Sequence, residues 1–211
     1  MSIRTILFDL DGTLIDTNEL NIASFIYTFE QFNMSHTREK IKSFNGPPLR
    51  DTFHQIDPIK AENMISMYRK HNLFYHDHYV RAFPNVNDVL KQLKEKEIKL
   101  GIVTTKMRKT AMKGIIKTAI DPFFKTIITY DDVIHSKPHP EPVLQAMKQL
   151  GAQAASTLMV GDNYHDIEAG KNAGVQTAGV AWAHKGKDIL LQYRPDYMLE
   201  DMCDLLKIVG V

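Results

Sequence analysis

The sequence predicts an α/β fold, a doubly wound, mostly parallel sheet with a small helical domain inserted near its beginning. Two observations lead to this prediction. Short apolar runs that stop at polar or glycine residues alternate with amphipathic stretches, a pattern typical of parallel sheets with helices on both faces. A segment with helical periodicity separates the first apolar run from the second, and it is too long for a simple crossover.

The apolar runs define the predicted strands, and the amphipathic stretches between them define the predicted helices. The strands are 6–8, 100–103, 126–129, 158–160 and 178–181. The helices are 86–97, 107–118, 140–150 and 165–173. Gly174 follows the last helix, where a helix C-terminus favours glycine. Ligands of such sheets bind beyond the carboxyl ends of the strands, so the polar residues there form the candidate site.

The inserted segment, residues 16–81, is predicted to be a helical cap on a core made of 1–15 and 82–211. Two parts of it carry apolar residues at helical spacing: Ile22, Phe25, Ile26 and Phe29, then Met64, Ile65 and Tyr68. A turn at 45–48, Asn-Gly-Pro-Pro, separates helical segments, and Phe83-Pro84 is a stiff return joint. We expect the cap to close over the site and exclude bulk water.

Composition limits the classes of partner and of location. The chain has 211 residues, 44% of them apolar and 24% charged, with a net charge of +1, so nothing favours nucleic acid or a membrane as partner. No apolar run approaches the roughly 20 residues that span a bilayer, and the beginning does not resemble a secretory signal. The single cysteine, Cys203, is expected to be an apolar contact of a C-terminal helix. We expect a cytoplasmic monomer.

Two carboxylates, Asp9 and Asp11, follow the first predicted strand. Residues two apart on a strand point the same way, so both carboxylates are able to face one pocket. One carboxylate can attack phosphorus while the other donates a proton to the leaving oxygen and later accepts one from water. Gly12 allows a tight turn and a close approach to phosphate. Taken alone, the same residues fit a polar strand cap equally well.

Polar residues at the other strand ends favour the chemical interpretation. Thr104 offers a hydroxyl to a phosphoryl oxygen, and Lys137 lies in a loop stiffened by two prolines. Asp162, Asp9 and a backbone carbonyl supply oxygen ligands that suit Mg²⁺. Asp166 either caps the following helix or belongs to the outer shell of that ion.

The charges at this site require a cation. At an effective dielectric near 20, each pair of like charges 4 Å apart costs on the order of 4 kcal/mol, and a phosphate adds to the repulsion. Mg²⁺ together with Lys137 offsets this cost and stabilises charge on a transferring phosphoryl group. We therefore expect Mg²⁺ as the cofactor.

The segments that contain Asp9 and Asp11, Thr104, Lys137 and Asp162 resemble, in order, the four motifs of the haloacid dehalogenase superfamily of phosphatases. The resemblance implies a Rossmann-like core with a C1-type cap. It also implies that Asp9 is the nucleophile and Asp11 the general acid and base. Asp9, the Asp11 carbonyl and Asp162 would hold Mg²⁺, and Thr104 and Lys137 would bind phosphoryl oxygens. Asn163 stands where many members carry a small residue and is expected, like Asp166, in the outer shell of the ion.

Longer segments, among them FNGPPLRDTF in the cap and SKPHPEPVL in the core, resemble bacterial inorganic pyrophosphatases of this superfamily. Those enzymes are associated with dephosphorylation of the phosphoserine form of HPr. The resemblance implies that the substrate is pyrophosphate, which is split into two phosphates. The second phosphate needs further cations, and Arg50 after the cap turn and Lys106 after the threonines are the candidates. A surface role stays open for both.

Three other functions remain in view. A phosphatase for phosphoglycolate or another small phosphate ester shares the same motifs, and a phosphomutase shares the same core. A phospho-accepting signalling domain also combines aspartates, a threonine and a lysine on a doubly wound sheet. Such receivers carry an acidic pair on the first strand and the acceptor on the third, so the order of residues here argues against that class.

Overall fold

The structure is a computed structural model that describes residues 2–210. The strands of its main sheet are β1 (Thr5–Phe8), β4 (Lys99–Val103), β5 (Thr126–Ile128), β6 (Thr157–Gly161), β7 (Gln176–Val180) and β8 (Tyr197–Leu199). These six strands are parallel and lie in the order β5-β4-β1-β6-β7-β8. The predicted α/β class with a parallel, doubly wound sheet is confirmed.

The order of strands reverses at β1, which lies between β4 and β6. Phe8 is in register with Ile102 on one side and with Val160 on the other. The three strands therefore end side by side, and the residues that follow them meet at one edge of the sheet. This edge is the switch point at which doubly wound sheets bind ligands.

Helices cover both faces of the sheet because its strands alternate between two apolar surfaces. Ile6 and Phe8 join one buried cluster, whereas Leu7 packs in a second cluster on the opposite face. Full burial of each such side chain stabilises the fold by about 1.5–3 kcal/mol. The covering helices are α5 (Val86–Glu95), α6 (Arg108–Lys117), α7 (Glu141–Leu150), α8 (Tyr164–Asn172), α9 (Lys187–Gln192) and α10 (Asp204–Val209).

Residues 18–79 form helices with a hydrophobic cluster of their own. They are α1 (Asn18–Gln31), α2 (Arg38–Ser43), α3 (Leu49–Ile56) and α4 (Ala61–Tyr79). Phe25, Phe29, Phe53 and Met64 lie in this cluster, apart from the two clusters of the sheet. Two short strands, β2 (Ile15–Asp16) and β3 (Arg81–Ala82), flank these helices in the chain and pair with each other in antiparallel orientation. The division into a core and a cap at residues 16–81 stays a prediction.

Some elements differ from the sequence prediction. Strand β8 was not predicted, because three residues at the edge of a sheet give too short a pattern to detect. The prediction for Cys203 is wrong: the residue is exposed and lies at the N-cap of α10, so it is not an apolar contact. Among residues 2–210, no helix is both long and apolar enough to cross a membrane.

Candidate active site

The ends of β1, β4 and β6 bring Asp9, Thr104 and Asp162 together as the sequence predicts. Asp9 extends β1 by donating its backbone N–H to the Val160 carbonyl, at 2.8 Å. Only 7% of Asp9 and 5% of Thr104 are exposed, so both lie at the bottom of a pocket. The Thr104 hydroxyl accepts the Lys106 backbone N–H at 3.1 Å, which fixes its direction.

Lys137 reaches into this pocket from the loop before α7 and is itself buried. Its Nζ donates to Asp9 Oδ1 at 2.6 Å, to the Val103 carbonyl at 2.8 Å and to Asp166 Oδ1 at 2.5 Å. Burial opposes the charged ammonium, but the carboxylates of Asp166 and Asp9 outweigh it and raise the pKa of Lys137 above its usual range. The lysine is therefore a fixed positive charge beside Asp9.

Asp166 performs the capping role that the sequence left open for it, whereas its place in the outer shell of a metal ion stays a prediction. Asn163 and Asp166 form a capping box at the start of α8, in which Asp166 Oδ2 accepts the Asn163 backbone N–H at 3.0 Å. The other oxygen of Asp166 accepts from Lys137. The capping contact thus fixes the carboxylate that orients the lysine, which is a positioning task that the sequence did not reveal.

The side chain of Asp11 accepts hydrogen bonds from two donors, neither of which is Lys137. Its Oδ1 accepts the Lys106 ammonium and the Thr17 hydroxyl, both at 2.8 Å. Thr17 is buried at the N-cap of α1 but makes no capping bond, because its hydroxyl is directed at Asp11. Sequence reasoning missed Thr17: its position before a helix predicts an ordinary cap.

Gly12 allows the loop after β1 to approach Asp162. Its φ of +87° lies in the left-handed region, and a Cβ at this position would stand 2.3 Å from Asp162 Oδ2. Any side chain would therefore displace that carboxylate.

The carboxylates form a donor set made only of oxygens, with one oxygen of each of Asp9, Asp162 and Asp166 within 4.8 Å of the others. Burial raises the pKa of Asp9 to about 7 even though Lys137 acts in the opposite direction. Burial, with the charges of Asp9 and Asp166, also raises the pKa of Asp162 well above its usual range. The site thus holds more negative charge than Lys137 compensates. Both oxygens of Asp166 are engaged, one by Lys137 and one by the Asn163 backbone N–H, whereas Lys137 engages only Oδ1 of Asp9. Asp9 and Asp162 therefore fit a hard divalent cation best.

A cavity of about 390 Å³ lies between these residues and the helices of residues 18–79, and Asp9, Lys106 and Arg50 are among its lining residues. Arg50 pairs with Glu62 at 3.2 Å, and 61% of its side chain is exposed. Lys106 is 14% exposed in its pair with Asp11. His165 also lines the cavity, and burial lowers its pKa to about 4, so its ring is neutral near neutral pH.

Comparison with known proteins identifies the family of this chain. The family model described as "Haloacid dehalogenase-like hydrolase" matches residues 6–180, which include every strand-end residue described above. The chain belongs to the haloacid dehalogenase-like hydrolases. It is therefore an enzyme, and the family resemblance read from its motifs is confirmed.

Curated relatives and solved structures extend along the whole chain. A protein named "Pyrophosphatase PpaX" from Oceanobacillus iheyensis is 58% identical, covering 100% of this chain and 98% of its own. One of the same name from Anoxybacillus flavithermus is 55% identical, covering 100% and 99%. A putative haloacid dehalogenase-like hydrolase from Bacteroides fragilis superposes with a TM-score of 0.89 at 28% identity, covering 96% and 99%. A predicted phosphoglycolate phosphatase from Haemophilus somnus gives 0.83 at 25%, covering 98% and 97%.

Proposed function

We propose that this enzyme hydrolyses inorganic pyrophosphate to two phosphates through a covalent phosphate on Asp9, with Mg²⁺ as cofactor. The observation that carries the proposal is the buried Asp9 carboxylate, held by Lys137 at the bottom of a cavity beside a second carboxylate, Asp162. The choice of pyrophosphate rests on the relatives named "Pyrophosphatase PpaX", which are 48–58% identical to this chain.

Asp9 is proposed as the nucleophile. One of its oxygens attacks phosphorus, and the bond from that phosphorus to the bridging oxygen breaks. Asp11, held by Thr17 once Lys106 has turned to the substrate, gives a proton to the departing phosphate. Asp11 then takes a proton from water as that water attacks the phosphorus bound to Asp9, and the Asp9 carboxylate is released.

The surrounding groups compensate the charge of the phosphoryl group. Thr104 is proposed to donate its hydroxyl to one of its oxygens. Lys137 is proposed to bind another by exchanging one of its three present acceptors for it, and its carboxylate partners keep the ammonium charged. Asp9, the Asp11 carbonyl and Asp162 would hold Mg²⁺, which when bound supplies positive charge against the phosphoryl oxygens. Asp166 and Asn163 would act from outside that ligand set.

Arg50 and Lys106 are proposed to bind the second phosphate of the substrate. Both line the cavity, and each is paired with a carboxylate that a phosphate would replace as partner, Glu62 for Arg50 and Asp11 for Lys106. Release of Lys106 to the substrate would leave Asp11 with Thr17 and free to exchange its proton. Location in the cytoplasm, a monomeric state and a link to HPr stay predictions.

The test is phosphate release from pyrophosphate with and without Mg²⁺, set beside phosphoglycolate and a small panel of phosphate monoesters. We expect Mg²⁺-dependent turnover that is fastest with pyrophosphate. Faster turnover of an ester would replace the substrate assignment by the phosphatase alternative and leave the Asp9 chemistry in place. A phosphorylated protein that waits for a sugar phosphate would indicate a mutase. Undiminished activity after complete chelation would overturn the role of Mg²⁺.

A further inference from the structure

The turn at residues 45–48 of the cap contacts the core through two hydrogen bonds. Asn163 Nδ2 donates to the Asn45 carbonyl at 3.3 Å, and Thr105 Oγ1 donates to the Gly46 carbonyl at 3.1 Å. Both acceptors are main-chain carbonyls of consecutive residues. The two donors follow Asp162 and Thr104 directly in the chain, so the loops that carry the site also contact the cap.

The Asn163 amide has a fixed orientation. Only 4% of the residue is exposed, and it forms the N-cap of α8. Its Oδ1 accepts the His165 backbone N–H at 3.4 Å and faces His165 Nδ1 at 2.8 Å. Since the oxygen is directed at α8, the N–H₂ group has to face the cap turn. The donor is therefore preorganised before any cap carbonyl reaches it.

Gly46 allows the close approach that this contact requires. Its φ is +112°, and a Cβ would lie 2.2 Å from Asn163 Nδ2. Pro47 and Pro48 follow, and Pro48 is the N-cap of α3, whose second residue is Arg50. A stiff segment thus connects the turn that touches the core with the arginine that lines the cavity.

We propose that Asn163 and Thr105 are positioning residues that latch the cap turn onto the core and so set how tightly the substrate is held. This inference rests on the proposed function, because it deepens the role of the same cavity. The latch holds the cap in the arrangement that places Arg50 at the cavity. Losing one latch bond shifts the population of the protein toward arrangements with the turn undocked, and substrate binding then has to restore the docked form.

The test uses variants that remove one donor and keep the local fold. Asn163→Ser keeps an N-cap oxygen for α8 but removes the amide donor, and Thr105→Val removes the hydroxyl at nearly constant shape. Asn87→Ser is the matched control, because its amide donates to the Thr118 carbonyl at 3.1 Å within the core. Two quantities are measured: the KM and kcat for pyrophosphate, and hydrogen–deuterium exchange of residues 44–56 in the substrate-free protein.

We expect each latch variant to raise KM by about two- to tenfold, the range for one lost net hydrogen bond, with a smaller change in kcat. In both latch variants, hydrogen–deuterium exchange of residues 44–56 should become faster, while exchange in the strands of the sheet stays as in the wild type. In the control variant Asn87→Ser, exchange of residues 44–56 should match the wild type. Unchanged exchange in both latch variants would overturn the latch, as would a loss of kcat without any rise in KM. If the wild type fails to hydrolyse pyrophosphate, the proposed function fails, and the exchange measurement still decides whether the turn is latched.

Discussion

Lys137 at the bottom of the cavity and Arg50 among the helices above it differ in how strongly their side chains are held. Lys137 is buried, donates to three oxygens and lies between two carboxylates that are themselves buried. Arg50 is mostly exposed and holds a single exposed partner, Glu62. Under the proposed function, Lys137 would present a rigid charge to the phosphoryl group that reacts, whereas Arg50 would present an adaptable charge to the rest of the substrate. The comparison predicts that substitutions at Lys137 affect the chemical step and that substitutions at Arg50 affect substrate binding.

The largest effect on turnover is expected for Asp9→Asn, which changes the partner of the rigid Lys137. The amide is of similar size but cannot attack phosphorus, so turnover of pyrophosphate should fall by at least about 10³-fold. Circular dichroism should show the wild-type fold, and Asp188→Asn, an exposed change on α9, should keep full activity. Substantial turnover in Asp9→Asn would refute the nucleophile assignment.

Removing the rigid cation should harm both stability and activity. Lys137→Ala leaves Asp9 and Asp166 buried without their common partner, so the free energy of unfolding should drop by about 3–5 kcal/mol. Denaturant titration measures this loss, and Lys148→Ala on the exposed side of α7 is the control. A stability equal to that of the wild type would show that the two carboxylates tolerate burial by taking up protons instead.

The surplus of negative charge in the core predicts how Mg²⁺ binding depends on pH. Burial raises the pKa of Asp9 to about 7, so protons compete with the cation once the pH falls through that value. Affinity for Mg²⁺, measured by calorimetry on the metal-free protein, should decrease by up to about tenfold per pH unit below it. Asp9→Asn should show a weaker dependence. An affinity that stays constant across this range would mean that Asp9 does not ligate the ion.

The smallest effect on catalysis is expected for a substitution of the exposed Arg50. Arg50→Ala should raise KM for pyrophosphate about fivefold and leave kcat nearly unchanged, because an exposed charge contributes modestly to binding. Arg38→Ala is the matched control, since Arg38 forms a similar exposed pair with Glu19 elsewhere in the cap. A loss of kcat in Arg50→Ala without a rise in KM would place this arginine at the reacting phosphorus and remove the contrast with Lys137.

Some parts of the molecule were predictable because their signal is local. Buried strands of a parallel sheet are short apolar runs, and their register requires Asp9, Thr104 and Asp162 to meet wherever the helices lie between them. Strand β8 and the β2–β3 pair escaped prediction because two or three residues carry too little pattern. Cys203 was wrongly predicted because an apolar residue next to an amphipathic segment need not lie on its buried face.

The class of fold, the order of the motifs and the residues that gather at the strand ends all follow from the amino acids and their spacing along the chain. Which polar atoms meet depends instead on how the loops are arranged in space. Lys137 and Asp166 are 29 residues apart in the chain, and Lys106 and Asp11 are 95 apart, yet each pair forms a short hydrogen bond. Such contacts depend on distance and direction within a few tenths of an ångström, and these are set by the paths of loops that no local pattern encodes.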